Sequence, residues 1–228
     1  MRFIVQKRQL LLAADRYQQP SQKLKTTNPK DFIELLEVFS IALTNGLLDK
    51  NDVIKWADNI ITNDNEPDFF IIELSLCGHK NINDIISLLN EFIGPEKPQV
   101  SSRVILGFVH RQYLLGKITL RKVVGAVDSI VWKADLTDEE KSFMYGLDDN
   151  YNCAEEGIYG TIEAVEKETI RFLEIYKEFQ IDNYKEWRRI DSTIDGKIKV
   201  LSDIVKRENE EFKKDLDART KRKWWELW

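Results

Sequence analysis

FIELLEVFSIALTNGLLDKNDVIKWADNII, residues 32–61, decides the fold. Its apolar residues Phe32, Leu35, Leu36, Phe39, Ala42 and Leu43 recur at steps of three and four, the spacing that puts side chains on one face of a helix. Gly46 follows as a C-terminal stop, because glycine accepts the left-handed conformation in which helices commonly end. Asp49 then reads as the cap of a second helix with the stripe Val53, Ile54, Trp56, Ala57, Ile60 and Ile61, which closes before the polar TNDNEP turn. The unit is a helical hairpin with one apolar face.

Working outward, Pro67 reads as the first residue of a third helix over Phe69 to Leu76, although Phe-Phe-Ile-Ile fits a short buried strand as well by periodicity alone. Asn81 or Asn83 caps a fourth helix carrying Ile85, Ile86, Leu88, Leu89 and Phe92. Gly94-Pro95-Glu96-Lys97-Pro98 stops it, since two prolines remove donors and clash with helical backbone. Beyond that boundary the pattern restarts. Setting Gly46 on Gly116, an offset of 70, aligns Leu48 with Ile118, Val53 with Val123, Ile54 with Val124 and Ile60 with Ile130. In the preceding helices Leu35 meets Ile105, Leu36 meets Leu106 and Phe39 meets Val109, while Ala42 meets Gln112 as a mismatch. Stacking two such hairpins buries both apolar faces. The expected fold is all-α: a basic arm over 1–30, a body over 31–180 made of loosely repeated halves 31–94 and 100–180, and a helical extension over 181–228.

The second half departs from the repeat after Val131. Thr137-Asp138-Glu139-Glu140 is a capping box. Asp148-Asp149-Asn150-Tyr151-Asn152 imitates a calcium loop, but Cys153 stands where that loop needs glycine and Tyr159 where it needs a bidentate glutamate, so an EF-hand is excluded. The expectation is a turn there, followed by one long helix from Ala154 to about Phe179 with Ile158, Ile162, Val165, Ile170, Leu173 and Tyr176 buried. In the extension, Trp187, Ile190, Ile194, Ile198, Leu201 and Val205 form a heptad-like seam that Glu208 interrupts before Phe212. A helix packed on the body and a coiled coil joining two copies both fit this pattern.

Composition narrows the function classes. The chain has 228 residues, 43% of them hydrophobic, enough for a core; its longest apolar runs fall far short of the roughly 18 residues a membrane span needs. Its start shows no secretory pattern and two cysteines make no disulfide framework, so a cytoplasmic address is expected. No Walker loop, GxGxxG, HExxH, GxSxG or paired CxxC occurs, and there are two histidines. An enzyme, a cofactor and a metal site are therefore not expected. Cys77-Gly78-His79 has the elements of a nucleophile and base but no orienting acid, and reads more simply as a buried thiol beside a surface histidine. Asp58 and Asp128 match across the repeat, yet each falls on the outer side of its helix, as solvated acids do.

Charge points to a partner class. Residues 1–30 hold seven basic residues and one acid, a balance of +6, whereas residues 31–160 hold eleven basic residues and twenty-two acids, a balance of −11. Such a body repels nucleic-acid phosphate over a Debye length of about 8 Å and attracts a basic protein. Asp148, Asp149, Glu155 and Glu156 are the densest acidic group and the candidate contact residues; a solvated helix start is their simpler account. At the end, Lys221-Arg222-Lys223 precedes Trp224, Trp225 and Trp228. Trp224 and Trp225 are candidate anchors, whether to the body, to a partner or to lipid headgroups.

The run Gly46-Leu47-Leu48-Asp49-Lys50-Asn51-Asp52-Val53-Ile54-Lys55-Trp56-Ala57-Asp58, followed by Pro67 and Ile71-Ile72-Glu73-Leu74-Ser75-Leu76, resembles small bacterial helical proteins encoded beside polymorphic toxins, of the immunity-protein type. The resemblance spans residues 30 to about 180 and is sharp over about thirty of them. It implies a cytosolic, non-enzymatic protein that blocks a toxin domain through a complementary surface, and transfers no individual contact residue; the acidic body adds the expectation that the toxin domain is basic. The N-terminal arm and the tryptophan-rich end lie outside it. A helical scaffold or adaptor that oligomerises through its C-terminal helix is the alternative.

Overall fold

The computed structural model describes residues 28–133 and 135–225, with side chains through Ala218 and backbone alone for 219–225. The basic arm up to Thr27 lies outside the described residues. A 3-10 turn at Pro29–Phe32 leads into α1 (Ile33–Thr44) and α2 (Lys50–Asn63), then α3 (Phe69–Ser75) and α4 (Ile82–Ile93). The second half contains α5 (Ser102–Leu114), α6 (Leu120–Ile130), α7 (Asp138–Met144), α8 (Leu147–Glu155) and α9 (Ile162–Leu173), and α10 (Trp187–Trp225) closes the chain. No strand occurs among the described residues, so Phe69-Phe70-Ile71-Ile72 is helical. No helix among them is long and apolar enough to cross a membrane.

The 70-residue offset reappears in three hydrogen bonds at each hairpin turn. Asn45 N donates to Ile41 O, Gly46 N to Leu43 O and Leu47 N to Ala42 O; Leu115, Gly116 and Lys117 donate to Arg111, Tyr113 and Gln112 in the same pattern. Gly46 and Gly116 have φ of +60° and +66°, a backbone that any side chain would strain. Asp49 and Thr119, again 70 apart, then cap α2 and α6. The mismatch has a cost: Ala42 and Gln112 are both buried, and Gln112 Oε1 is a buried acceptor with no hydrogen-bond partner among the described residues.

α1 packs on α4, α2 on α3, α5 on α6 and α9, and α6 on α8; α1 against α5 joins the halves. α1 and α5 are buried on nearly every side, the property of central helices. Backbone approaches closely at Gly107, where an added Cβ would lie 2.6 Å from Tyr176 O and 2.7 Å from Phe179 Cβ. Trp56 is buried edge-on against Phe32 and Phe39, at 5.2 and 5.3 Å between ring centroids.

Two expectations need correction. Pro67 does not open α3: Asp68 is the cap and accepts from Phe70 N at 2.8 Å, leaving the proline outside. The single helix from Ala154 to Phe179 does not form. α8 already occupies 147–155, Gly157 and Gly160 take φ of +68° and +73°, Thr161 caps a new helix, and a 3-10 turn at Glu174–Tyr176 ends it. Ile158 is consequently exposed rather than core.

α10 has 39 residues, about 58 Å at 1.5 Å per residue. Trp187, Ile190, Ile194, Ile198 and Leu201 are buried on the body; from Lys206 to Ala218 every residue is exposed. The seam first packs on the body, and the helix then runs on past it.

Candidate partner-binding surface

α8 forms because Leu147 and Tyr151, one turn apart, bury against the second half, while the residues between them are polar. It lies beside α6, and Arg121 of α6 crosses the seam: its Nη1 is 3.2 Å from Asp148 Oδ1, it also contacts Asn152 Oδ1, and its guanidinium carbon sits 5.2 Å from the centre of the Tyr151 ring. Asn152 Nδ2 donates to the other Asp148 oxygen at 3.0 Å.

The four acids of the sequence reading thus differ in their surroundings. Asp148 is half-buried and spent on Arg121 and Asn152. Glu155 is exposed and accepts from Tyr151 OH at 3.1 Å; burial raises the Tyr151 pKa, and this hydrogen bond adds to it. Asp149 and Glu156 are exposed. Glu155 and Glu156 end α8 rather than start a helix, so they face the negative pole of its dipole and local helix stability does not account for them.

Beside these acids stands an aromatic edge that the sequence reading missed. Trp132, just past α6, is 73% exposed; Tyr145, between α7 and α8, is 55% exposed, and the two rings meet edge-to-face at 5.4 Å. Tyr145 shares a cleft of about 330 Å³ with Asn150, and Asn150 accepts from the exposed Tyr159 OH at 2.8 Å. A contact path therefore runs from Trp132 along α8 to the Gly157–Gly160 turn. The signal was available: Asp128, one turn before Trp132, already marked the outer side of α6.

The side chains of Trp224 and Trp225 lie outside the described residues; the helix backbone carries them to its end, about 25 Å of helix beyond Glu208. Glu208 is held by Arg171 at 2.7 and 3.0 Å.

The strongest polar cluster is interior. Arg103, on α5, presents Nε and Nη2 to the two carboxylate oxygens of Glu140 at 2.8 Å each, and its other contacts are Asp195 and, at 3.5 Å, Asp191 on α10. Tyr176 OH donates to Glu140 at 2.8 Å, as does Thr137 N in the α7 capping box. Burial opposes the Arg103 charge, yet the hydrogen bonds and charge of Glu140 keep its pKa above the ordinary value; burial, with Glu140 adding to it, raises Tyr176. Every oxygen of Glu140 is occupied inside the protein, so this cluster joins α5, α7, α9's exit turn and α10.

Cys77 is buried at the end of α3, donates to Glu73 O at 3.1 Å, and burial pushes its thiol pKa up, which disfavours a thiolate nucleophile; His79 is exposed. Among the described residues no group of His, Cys, Asp and Glu is placed to hold a metal ion. No protein-family model, curated protein or solved structure matches the chain.

Proposed function

We propose that this protein is a non-catalytic module that binds a basic protein domain stoichiometrically, and that the domain is a toxin neutralised by the binding. One observation carries the reading: Asp149, Glu155 and Glu156 are turned to solvent on α8, two of them against the helix dipole, beside exposed aromatic side chains. Charged groups arranged so contribute to encounter rate and partner choice, and exposed aromatics supply the desolvated contacts that hold a complex. The −11 balance of residues 31–160 extends the same field over the body. The toxin assignment comes from the resemblance of residues 30 to about 180 to immunity-type proteins. The test is titration of the cognate toxin domain, recovered from the native cell with this protein, against its own activity. Loss of activity at a 1:1 ratio is expected; a toxin fully active in excess protein would overturn the reading.

A second reading, a scaffold that oligomerises through α10, is favoured by the C-terminal part of that helix, where Phe212 is 69% exposed. Concentration-dependent dimerisation that disappears on deleting 206–228 would support it.

A further inference from the structure

α3 is apolar on two sides and covered on one. Phe70, Ile71, Leu74 and Cys77 are buried, whereas Phe69, Ile72 and Leu76 form a second stripe, at steps of three and four, in which Phe69 is 76% and Leu76 67% exposed. A helix that is hydrophobic all round belongs in an interior, yet among the described residues the outer stripe of α3 stays open. Acids stand against it. Glu73 falls within the stripe, four residues after Phe69 and three before Leu76; Asp68 caps the helix; and Asp58 of α2 accepts from Ser75 Oγ, three residues after Ile72. The lysines at the far end of the stripe are engaged: Lys50 Nζ donates to Gly78 O and Lys80 O at 2.9 Å each, and Lys80 reaches Glu73 at 3.5 Å. Residues 58–94 as a whole hold seven acids, one lysine and no arginine, a balance of −6.

We propose that the outer face of α3 is the docking site of this chain's own residues 2–17. Their composition complements the face: Phe3, Ile4, Val5, Leu10, Leu11 and Leu12 are apolar, and Arg2, Lys7, Arg8 and Arg16 stand against Asp15 alone. Burial of apolar side chains supplies the hold, and charge selects this occupant. The connection also reaches. The chain enters the fold at Phe32, edge-on to Trp56 of α2 at 5.2 Å, and α2 is the helix on which α3 packs. Ten residues, Gln18 to Thr27, separate the docking segment from Asn28. Extended, ten residues span up to about 35 Å, against a helix width of about 10 to 12 Å. The tryptophans of the C-terminus are carried elsewhere, on a helix that packs against α7 and the 3-10 turns of the second half. The docking does not depend on the binder reading: it gives the acidic face of the first half an occupant within the chain and leaves α8 open to a partner.

Hydrogen exchange read by mass spectrometry on the full chain tests the docking. Residues 2–17 are expected to exchange about tenfold or more slowly than a free peptide of the same sequence, and to lose that protection in Phe69→Ser/Leu76→Ser and in Lys7→Glu/Arg8→Glu. The first variant changes exposed side chains and the second lies outside α3 altogether; unchanged exchange in α1 and α5 checks that each keeps its fold. Photo-cross-linking with Phe69 replaced by p-benzoylphenylalanine identifies the occupant, and attachment to residues 2–17 at the mass of one chain is expected. Exchange of residues 2–17 at the free-peptide rate, protection that either variant leaves unchanged, or absence of that attachment would overturn the docking. So would cross-links that join two copies instead. None of these outcomes touches the toxin titration, which tests the binder reading separately.

Discussion

Arg103 and Glu140, 37 residues apart, meet in a bidentate ion pair in the interior, with Nε and Nη2 each 2.8 Å from a different carboxylate oxygen. Glu140 is fully buried and Arg103 nearly so. Removing one partner leaves an uncompensated charge in low dielectric, so Glu140→Leu alone is expected to cost about 3 to 5 kcal/mol. Arg103→Met with Glu140→Leu should cost far less than the two single changes added together. Urea unfolding of the four proteins measures the coupling, and additive costs would show that the pair does not hold α5 to α7.

Gly107→Ala should destabilise by about 1 to 3 kcal/mol, the usual cost of overpacking. The added methyl meets Tyr176 O, a backbone atom, at 2.6 Å, so the 3-10 turn must move rather than a flexible side chain. Gly125→Ala, in open space on α6, should be neutral or slightly stabilising. Thermal melts of the pair separate close approach from helix propensity.

Trp56→Ala should cost about 3 to 5 kcal/mol, since the indole is buried between Phe32 and Phe39. Partner binding, measured well below the lowered melting temperature, should be unchanged. Lost binding with an unchanged melt would place Trp56 at an interface instead.

Stability should fall between pH 7 and 5 through His110. Burial lowers its pKa from 6.5; Glu174 opposes that shift and Lys177 adds to it. The unfolded chain therefore binds the proton first, so the stabilisation is complete above about pH 6.5 and is lost as pH falls from there through the lower folded pKa. Hydrogen bonds from Lys177, Lys197 and Arg171 hold Glu174, Glu178 and Glu208 below 4.5, and their loss belongs to more acidic solution. Melting temperatures at pH 7.5 and 5.5 should differ in the wild type and converge in His110→Gln.

What the sequence made legible was local. Gly46, Gly116, Asp49 and Thr137 mark where helices stop and start because the orphan amides and carbonyls at helix ends need particular residues, and the structure uses all four; of the two caps open for α4, Asn81 and Asn83, it uses Asn81. Gly157 and Gly160 carried the same signal, but the apolar spacing of Ile158 and Ile162 fitted a continuous helix and masked the break. The Arg103 cluster was out of reach, since Glu140, Tyr176 and Asp195 converge from segments whose periodicity says nothing about which helix end faces which. Of the acids, the spacing put Asp148 and Asp149 in a turn and Glu155 and Glu156 in the helix after it, whereas α8 and its C-cap carry all four; that Asp148 is occupied by Arg121 whereas Asp149 is exposed depends on the packing of α6 against α8.

The claim that this surface recruits a basic domain is tested most directly by stopped-flow association with the recovered partner at increasing salt. Asp149→Lys/Glu155→Lys/Glu156→Lys keeps the interior pairs intact and reverses the exposed charge. Wild-type association should be fast at low ionic strength and slow steeply as salt is added, whereas the variant should associate about tenfold or more slowly at low salt with a flatter salt dependence. Equal rates for the two proteins, both indifferent to salt, would contradict it.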